Sequence, residues 1–376
     1  MNSSNKIRKR SYLDQNFGPN QSINYEKNDE KMSKTKIDKF DVSHQSSILK
    51  RIFSITLLLF CFLAFLIFVL IPIFFRYSQS FQRSILFMNF ANLHYLYNVT
   101  NPKEFSMNCT RSMFLQSDAN ISLGVWHIKP NEEDCTNENE FNFDDNLPVI
   151  LYAHGNAGTR ANKRRIALYK VLSNQFGSHL ITFDYRSFGD SSHHIKPTAQ
   201  GLVNDTRFIY EWLLNQNVKP KRILLWGHSL GTAVVLQFLA QNKFESYPSG
   251  AILEAPFTSI DEATKSYPLS KYFRWLPYFD HCFIEPLIMN NETNFNSTAK
   301  LSSIHCPLLI LHATDDNIIP YQIGQRLHQQ AISLQPKYVL PAKLILYSSD
   351  LGYGHKHIFK DPNLSRTVRN FYESLN

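Results

Sequence analysis

The most prominent feature of the hydrophobicity pattern is one uninterrupted apolar segment near the N-terminus. Residues 52–75 read IFSITLLLFCFLAFLIFVLIPIFF and contain no charged side chain. At ~1.5 Å per residue a helix of this length spans about 36 Å, which exceeds the ~30 Å hydrocarbon thickness of a bilayer. A core helix this long would normally have a polar face, and the apolar part of a cleaved signal peptide is shorter. The segment is therefore predicted to be a transmembrane helix.

Beyond residue 121, short apolar runs alternate with amphipathic helical patterns. Runs such as VILYAH (149–154) and LLILHA (308–313) are almost continuously apolar, which is typical of parallel strands buried on both faces. This alternation predicts an α/β fold with a mostly parallel, doubly wound sheet. The expected strands are 122–128, 148–154, 179–185, 222–227, 251–255, 307–313 and 343–347, and the expected helices are 161–175, 198–215, 230–242, 321–334 and 362–375.

One stretch interrupts the alternation of strands and helices. Residues 257–303 are too long for a simple connection, and they contain nine aromatic residues. We interpret them as a cap insertion that grips an acyl chain or touches the bilayer. The alternative, which is compatible with the first, is that the rings pack the cap onto the core.

The remaining segments are polar and lack a periodic apolar pattern. The N-terminal 51 residues are typical of a disordered tail, and the acidic stretch 131–146 is interpreted as a surface loop. The expected organisation is a tail (1–51), a transmembrane helix (52–75), a connector (76–120) and a globular domain (121–376) that carries the insertion (257–303).

Charge is distributed unevenly along the chain. The 39 Lys and Arg exceed the 31 Asp and Glu, which gives a net charge of +8. Eleven of the basic and six of the acidic residues lie within residues 1–51, so most of the excess precedes the apolar segment. The positive-inside rule then places the N-terminus in the cytosol and the large domain in a lumen or outside the cell. No nucleic-acid-binding motif accompanies the basic excess, so nucleic acid is not an expected partner.

Glycosylation sequons and cysteines agree with this orientation. Seven Asn-x-Ser/Thr sequons follow the apolar segment, at Asn98, Asn108, Asn120, Asn204, Asn291, Asn296 and Asn363. Four cysteines lie on the same side, namely Cys109, Cys135, Cys282 and Cys306, and an oxidising lumen would permit pairing that the sequence does not specify. Neither the cysteines nor the histidines have metal-ligand spacing, so no metal is expected.

The sequence RILLWGHSLG (222–231) contains a candidate catalytic nucleophile, Ser229. It places G-x-S-x-G between a predicted strand and a predicted helix, which is the pattern of a nucleophile elbow. The flanking glycines allow a tight turn, and Ser229 then projects above the sheet at a helix N-terminus. The backbone N–H of Leu230 would point to a developing oxyanion.

An acid and a base follow in the order that this elbow requires. The strand at 307–313 ends at an acidic pair, and Asp316 is the predicted orienting carboxylate, with Asp315 as the alternative. His355 lies in a Gly-containing loop between the last strand and the last helix, and it is the predicted general base. His357 is its alternative.

The oxyanion hole is expected in the small-residue loop HGNAG (154–158) after the strand VILYA. Backbone donors there would be Asn156 or Ala157, together with Leu230, and His154 is expected to support the loop. Such a site hydrolyses an ester through an acyl-enzyme without a metal or cofactor. No phosphate-binding G-K-[ST] or G-x-G-x-x-G pattern is present.

The residues just described are similar to those of a known family. The chain resembles the α/β-hydrolase superfamily and, within it, the membrane lipases of lysophosphatidylserine and monoacylglycerols. The matching segments are HGNAGTR (154–160), TFDYRSFGDS (182–191), WGHSLGT (226–232), LEAPFTSI (253–260), CPLLILHATDD (306–316) and SDLGYGHKHI (349–358).

This resemblance implies a single-pass enzyme of the endoplasmic reticulum with a luminal or extracellular catalytic domain. It implies hydrolysis of lysophosphatidylserine and monoacylglycerols by Ser229, Asp316 and His355. One alternative is a protein depalmitoylase, but such enzymes rely on an N-terminal cysteine cluster, which this tail lacks. The other alternative is a non-catalytic binding protein on a hydrolase scaffold.

Overall fold

The computed structural model describes residues 19–91, 98–117, 120–130, 142–241 and 247–375. They belong to two compact units, Met1–Val69 and Leu70–Asn376.

Among its described residues, the first unit contains one long helix, α1 (Pro19–Phe65). A π-helical segment follows it at Leu66–Leu70. Among the described residues one helical stretch, Lys31–Tyr77, is long and apolar enough to cross a membrane, and it contains the predicted segment 52–75.

The structure differs from the disordered tail expected over residues 1–51. Residues 19–51 are part of α1, and residues 1–18 lie outside the described residues. The sequence has no glycine or proline between residues 20 and 71, so nothing interrupts the backbone hydrogen bonds of the helix.

The second unit contains one mixed sheet of eight strands in the order β1-β2-β4-β3-β5-β6-β7-β8. The pairs β1–β2 and β2–β4 are antiparallel, and the strands from β4 to β8 are parallel. The strands are β1 (Thr110–Gln116), β2 (Ser122–Ile128), β3 (Val149–Ala153), β4 (His179–Phe183), β5 (Ile223–His228), β6 (Gly250–Glu254), β7 (Leu308–Ala313) and β8 (Lys343–Tyr347). The predicted α/β fold with a mostly parallel sheet is confirmed.

Helices cover both faces of the sheet. Apolar side chains of α5, α6 and α9 join one core cluster, and those of α4 and α10 join the cluster on the opposite face. The helices are α4 (Lys163–Lys170), α5 (Ala199–Asn215), α6 (Leu230–Gln241), α9 (Tyr321–Leu334) and α10 (Leu364–Glu373). All five coincide with predicted helices, and a π-helical turn at Val171–Phe176 completes the first of them.

The segment predicted as a connector, 76–120, is more structured than its sequence suggested. Helix α2 (Ile71–Tyr77) runs into it, followed by α3 (Gln79–Phe87), whose first turn is capped by the Ser78 hydroxyl. Strand β1 also falls in this segment. None of its residues is fully buried, so the strand has a weak apolar signal and depends on pairing with β2.

The insertion between β6 and β7 is built from short helical pieces, including α7 (Ile260–Ser266) and α8 (Glu285–Met289). It packs on α2, where the rings of Phe75 and Phe283 lie 5.1 Å apart and Arg76 pairs with Glu285 at 3.1 Å. Its aromatic residues divide between core and surface. Phe257, Phe279 and Phe295 are buried, whereas Tyr272 and Trp275 are exposed.

Candidate active site

The candidate nucleophile, Ser229, forms the turn between β5 and α6. Strand β5 ends at His228 and α6 begins at Leu230, so one residue makes the whole connection. Its φ of 52° lies in the left-handed region, which costs a non-glycine residue ~1–2 kcal/mol. The Ser229 N–H donates to the Glu254 carbonyl at 2.9 Å, and the Ser229 carbonyl accepts from the Thr232 hydroxyl at 2.6 Å. These bonds hold the strained turn at the carboxyl edge of the sheet.

The two glycines of the elbow are required by close backbone packing. A Cβ on Gly227 would collide with the Gly231 carbonyl, and a Cβ on Gly231 would collide with the Ala153 carbonyl. Both obstacles are backbone atoms, which cannot rotate away. The G-x-S-x-G spacing therefore lets α6 begin directly above β3 and β5.

The candidate base and acid form a short, buried hydrogen bond. His355 Nδ1 lies 2.7 Å from Asp316 Oδ2, and Asp316 Oδ1 accepts the backbone N–H groups of Ile318 and Ile319 at 2.8 and 2.9 Å. Burial alone would raise the pKa of Asp316. Hydrogen bonds from His312 and His355 outweigh burial and hold that pKa well below its usual range. The carboxyl is therefore an anion at every pH at which the enzyme would work.

The two alternative residues have other contacts. Asp315 accepts the Gly354 N–H at 2.9 Å and so anchors the loop that carries the histidine. His357 Nε2 accepts a hydrogen bond from Arg164 Nε at 3.1 Å, on the side of helix α4. The structure thus brings together Asp316 and His355, and it assigns loop contacts to Asp315 and His357.

The elbow and the histidine loop adjoin each other through His228. Its Nε2 lies 2.9 Å from the His355 carbonyl oxygen, and the two imidazole rings are 5.1 Å apart. Within the described part of the chain, the Ser229 hydroxyl makes no hydrogen bond to His355. The bond between nucleophile and base commonly tightens when substrate binds.

The loop after β3 provides the candidate oxyanion donors. Ala157 has a φ of 59°, and its N–H donates to the Asn156 side-chain oxygen at 2.7 Å. That bond occupies the Ala157 N–H, so the backbone N–H of Asn156 is the candidate donor that we consider further. Leu230 is the first residue of α6, so its N–H has no acceptor within the helix.

Arg165 holds this loop in shape, a role that the sequence did not reveal. Its guanidinium is buried and donates to three loop carbonyls, those of Gly155, Ala157 and Thr159, at 2.9, 2.8 and 2.6 Å. Satisfying several carbonyls with one rigid cation fixes the loop before any substrate binds. The predicted supporting residue, His154, is also buried and contacts the Gly155 carbonyl through Nδ1 at 2.8 Å.

A second buried arginine fixes the end of the same loop. Arg160 donates to Asp184 Oδ2 at 2.6 Å and to both oxygens of Asp190 at 2.5 and 2.8 Å. Its guanidinium also lies over the Trp126 ring, 5.5 Å from the centroid. This cluster joins the HGNAGTR segment to the segment TFDYRSFGDS.

Cysteines and possible metal ligands complete the inventory of reactive side chains. Cys109 is disulfide-bonded, whereas Cys61, Cys282 and Cys306 are free thiols. Among the described residues, no three His, Cys, Asp or Glu side chains are grouped so that they could hold a metal ion.

Three features define the class as α/β-hydrolase. They are the strand order, the strained serine after β5, and the hydrogen-bonded acid and base that follow β7 and β8. Residues 148–276 match the family described as alpha/beta hydrolase fold. The solved structure of the esterase Pf2001 from Pyrococcus furiosus aligns with a TM-score of 0.55 over 74% of this chain and 95% of that chain. At 18% identity this likeness shows the fold alone.

Curated relatives define a narrower family. The lysophosphatidylserine lipase ABHD12 of Danio rerio is 39% identical over 312 residues, which cover 81% of this chain and 80% of that protein. The lysophosphatidylserine lipase ABHD12 of Rattus norvegicus is 36% identical, with 85% and 80% covered. Protein ABHD12B of Homo sapiens is 34% identical, with 76% and 79% covered. The chain therefore belongs to the ABHD12 family of α/β-hydrolases, and it is a hydrolase.

Proposed function

We propose that this chain is a membrane-anchored serine hydrolase that cleaves the acyl ester of lysophosphatidylserine and of monoacylglycerols. The observation that supports this most directly is the buried 2.7 Å hydrogen bond between His355 and Asp316, next to the strained turn at Ser229. The names of the relatives supply the lysophosphatidylserine part of the proposal.

In the proposed reaction, Ser229 Oγ attacks the ester carbonyl carbon while His355 Nε2 takes the hydroxyl proton. Asp316 accepts from His355 Nδ1, which keeps Nε2 basic and stabilises the imidazolium. The N–H groups of Asn156 and Leu230 donate to the oxyanion, and each such donor is typically worth ~3 kcal/mol. His355 then protonates the leaving alcohol. Water, activated by the same histidine, releases the fatty acid from the serine ester.

The substitution Ser229→Ala tests this proposal, with Ser302→Ala as the matched control. Ser302 is exposed and lies outside the site. The assay is fatty-acid release from lysophosphatidylserine and from a monoacylglycerol of the same acyl chain. We expect loss of both activities in Ser229→Ala with an unchanged melting temperature, and wild-type activity in the control. Undiminished hydrolysis in Ser229→Ala, or wild-type activity on a palmitoylated peptide instead of both lipids, would overturn the proposal.

We also propose that the chain spans the endoplasmic reticulum membrane once, with a cytosolic N-terminus and a luminal hydrolase domain. The basic excess before the apolar segment supports this orientation. The disulfide at Cys109 fits an oxidising compartment. The sequon asparagines are all exposed, as glycosylation requires, at Asn98, Asn108, Asn120, Asn204, Asn291, Asn296 and Asn363.

Glycan removal tests the orientation. Endoglycosidase H should increase the electrophoretic mobility of the full chain made in cells, and replacing all seven sequon asparagines by glutamine should abolish that increase. A chain whose mobility does not change with the enzyme contradicts a luminal domain.

The proposed source of substrate is the bilayer itself. Helix α2 contains the last five residues of the predicted span, 71–75, and the cap insertion packs on α2 through Phe75, Phe283 and the Arg76–Glu285 pair. Near this contact the insertion exposes Trp275 at 68% and Met289 at 77% of their surface. Aromatic rings of this kind are enriched where proteins meet the headgroup region.

A further inference from the structure

A cavity of about 250 Å³ lies between the loop after β3, helix α4 and the segment that follows His355. Its lining includes Asn156 and Ala157 from the candidate oxyanion loop. It also includes Lys356, the residue next to the candidate base. The cavity therefore adjoins the loop and the histidine segment between which an ester would react.

Three cations line this cavity, namely Arg164, Arg165 and Lys356. Within the described parts of the chain, none of them has a carboxylate within 4.0 Å. Arg165 is occupied by three loop carbonyls, and Arg164 Nε donates to His357. The ammonium of Lys356 has no such partner there.

The cations repel one another, and the charge of Asp316 opposes this repulsion at Lys356. Desolvation, and next the charges of Arg164 and Arg165, lower the pKa of Lys356. Arg164 and Lys356 are both exposed, so water hydrates their charges, and a cleft lined by charge of one sign attracts a counter-ion.

Among the described residues, the carboxyl group of Glu254 lines the cavity. Burial favours its neutral form, which repels an anion less than a carboxylate does. Burial raises its pKa, a hydrogen bond from Trp226 Nε1 opposes this effect, and the charge of Asp316 adds a smaller increase, so that the pKa lies at about 7. Near neutral pH this carboxyl is therefore protonated in a large share of molecules. The cavity thus has a net positive charge.

We propose that this cavity binds the phosphate group of an anionic lysophospholipid, with Arg164 and Lys356 as its ligands. An ester held between Ser229 and the oxyanion loop would place its alcohol part, which bears the phosphate, toward Lys356. The inference rests on the proposed function and extends it, because it explains how the site would favour a charged substrate over a neutral monoacylglycerol. Arginine and lysine are the usual phosphate ligands of proteins.

The first test compares two substrates in Arg164→Gln, Lys356→Gln and the control Lys163→Gln. Lys163 is the exposed first residue of α4, so the control loses the same charge from the same helix without lining the cavity. We expect the ratio of kcat/KM for lysophosphatidylserine to kcat/KM for monoacylglycerol to fall about tenfold or more in each cavity variant. The control should keep the wild-type ratio. Equal losses on both substrates, or an unchanged ratio, would overturn the inference.

The second test is independent of catalysis and is made on Ser229→Ala. Glycerophosphoserine should raise the melting temperature of this protein, and it should not do so after the further change Arg164→Gln. An equal effect of inorganic phosphate would indicate a site for free phosphate instead of a lipid headgroup. If neither ligand shifts the melting temperature, the cavity does not bind phosphate. If the ligands bind but neither lipid is hydrolysed by the wild type, the proposed function fails while the site stands.

Discussion

The substitution Asp316→Asn gives the sharpest test of the candidate site, because it changes one atom of a contact at 2.7 Å. Asparagine retains an oxygen that can accept the N–H groups of Ile318 and Ile319, so the loop should keep its conformation. The other position becomes an NH₂ group, which cannot accept from His355 Nδ1. The imidazole would then turn or take the opposite tautomer, and its Nε2 would no longer be a base.

The expected loss follows from that change of tautomer. Where a histidine of this kind loses its carboxylate, kcat falls by about 10³–10⁴, which corresponds to ~4–5.5 kcal/mol. KM should change little, because Asp316 is buried behind the histidine and does not touch substrate. The assay is steady-state hydrolysis of a monoacylglycerol, with melting temperature as a check of folding.

The matched control is Asp315→Asn, since this neighbouring carboxylate accepts a hydrogen bond from the Gly354 N–H instead of from the histidine ring. An asparagine oxygen can accept the same bond, so kcat should stay within a few-fold of the wild-type value. Two results would refute the reasoning: equal losses in both variants, or an Asp316→Asn enzyme within tenfold of wild type.

Three further outcomes follow from the contacts described. Arg160→Met leaves the buried Asp184 and the partly buried Asp190 without their cation, and it should lower the free energy of unfolding in urea by ~3–5 kcal/mol. Glu254 loses its proton near its ordinary pKa of 4.5 in the unfolded chain and near 7 in the folded chain. The free energy of unfolding should therefore fall by about 3 kcal/mol as pH rises from 4.5 to 7. Glu254→Gln, measured at both ends of this interval, should remove that part of the pH dependence. Trp275→Ser should lower kcat/KM several-fold on lysolipid in vesicles but not on a short soluble ester, and equal effects on both would argue against membrane contact of the cap insertion.

Much of the fold could be predicted because parallel strands that are buried on both faces have almost continuously apolar sequences. Strands β3 and β7 are buried at every position, and their bounds differ from the prediction by one or two residues. Strand β1 was missed because it is half exposed at the sheet edge and lacks the continuous apolar run of the buried strands, although it pairs with the neighbouring strand β2.

The candidate site likewise contains residues that the local sequence predicts and residues whose contacts form only in the folded chain. Ser229, Asp316 and His355 were predicted because each follows a strand at the carboxyl edge, where chain order alone restricts the choice. The choice between neighbouring residues required distances, such as the 2.7 Å from His355 to Asp316. Arg165 could not be recognised, because its three carbonyl partners lie on a loop that reaches it only in the folded chain.

The shape of the candidate oxyanion loop depends on side chains that take no part in the proposed chemistry. Arg165 binds its carbonyls from one side, and Arg160 ties its end to two carboxylates. A Cβ on Gly155 would collide with the His228 ring, so the loop can lie directly against the nucleophile elbow. A backbone donor stabilises an oxyanion only if it is already in place when the charge develops. The two buried arginines meet this requirement by holding the donors of the loop in position. The segment HGNAGTR is therefore one structural unit. Both Arg160 at its end and Gly155 near its start are needed to position the donors.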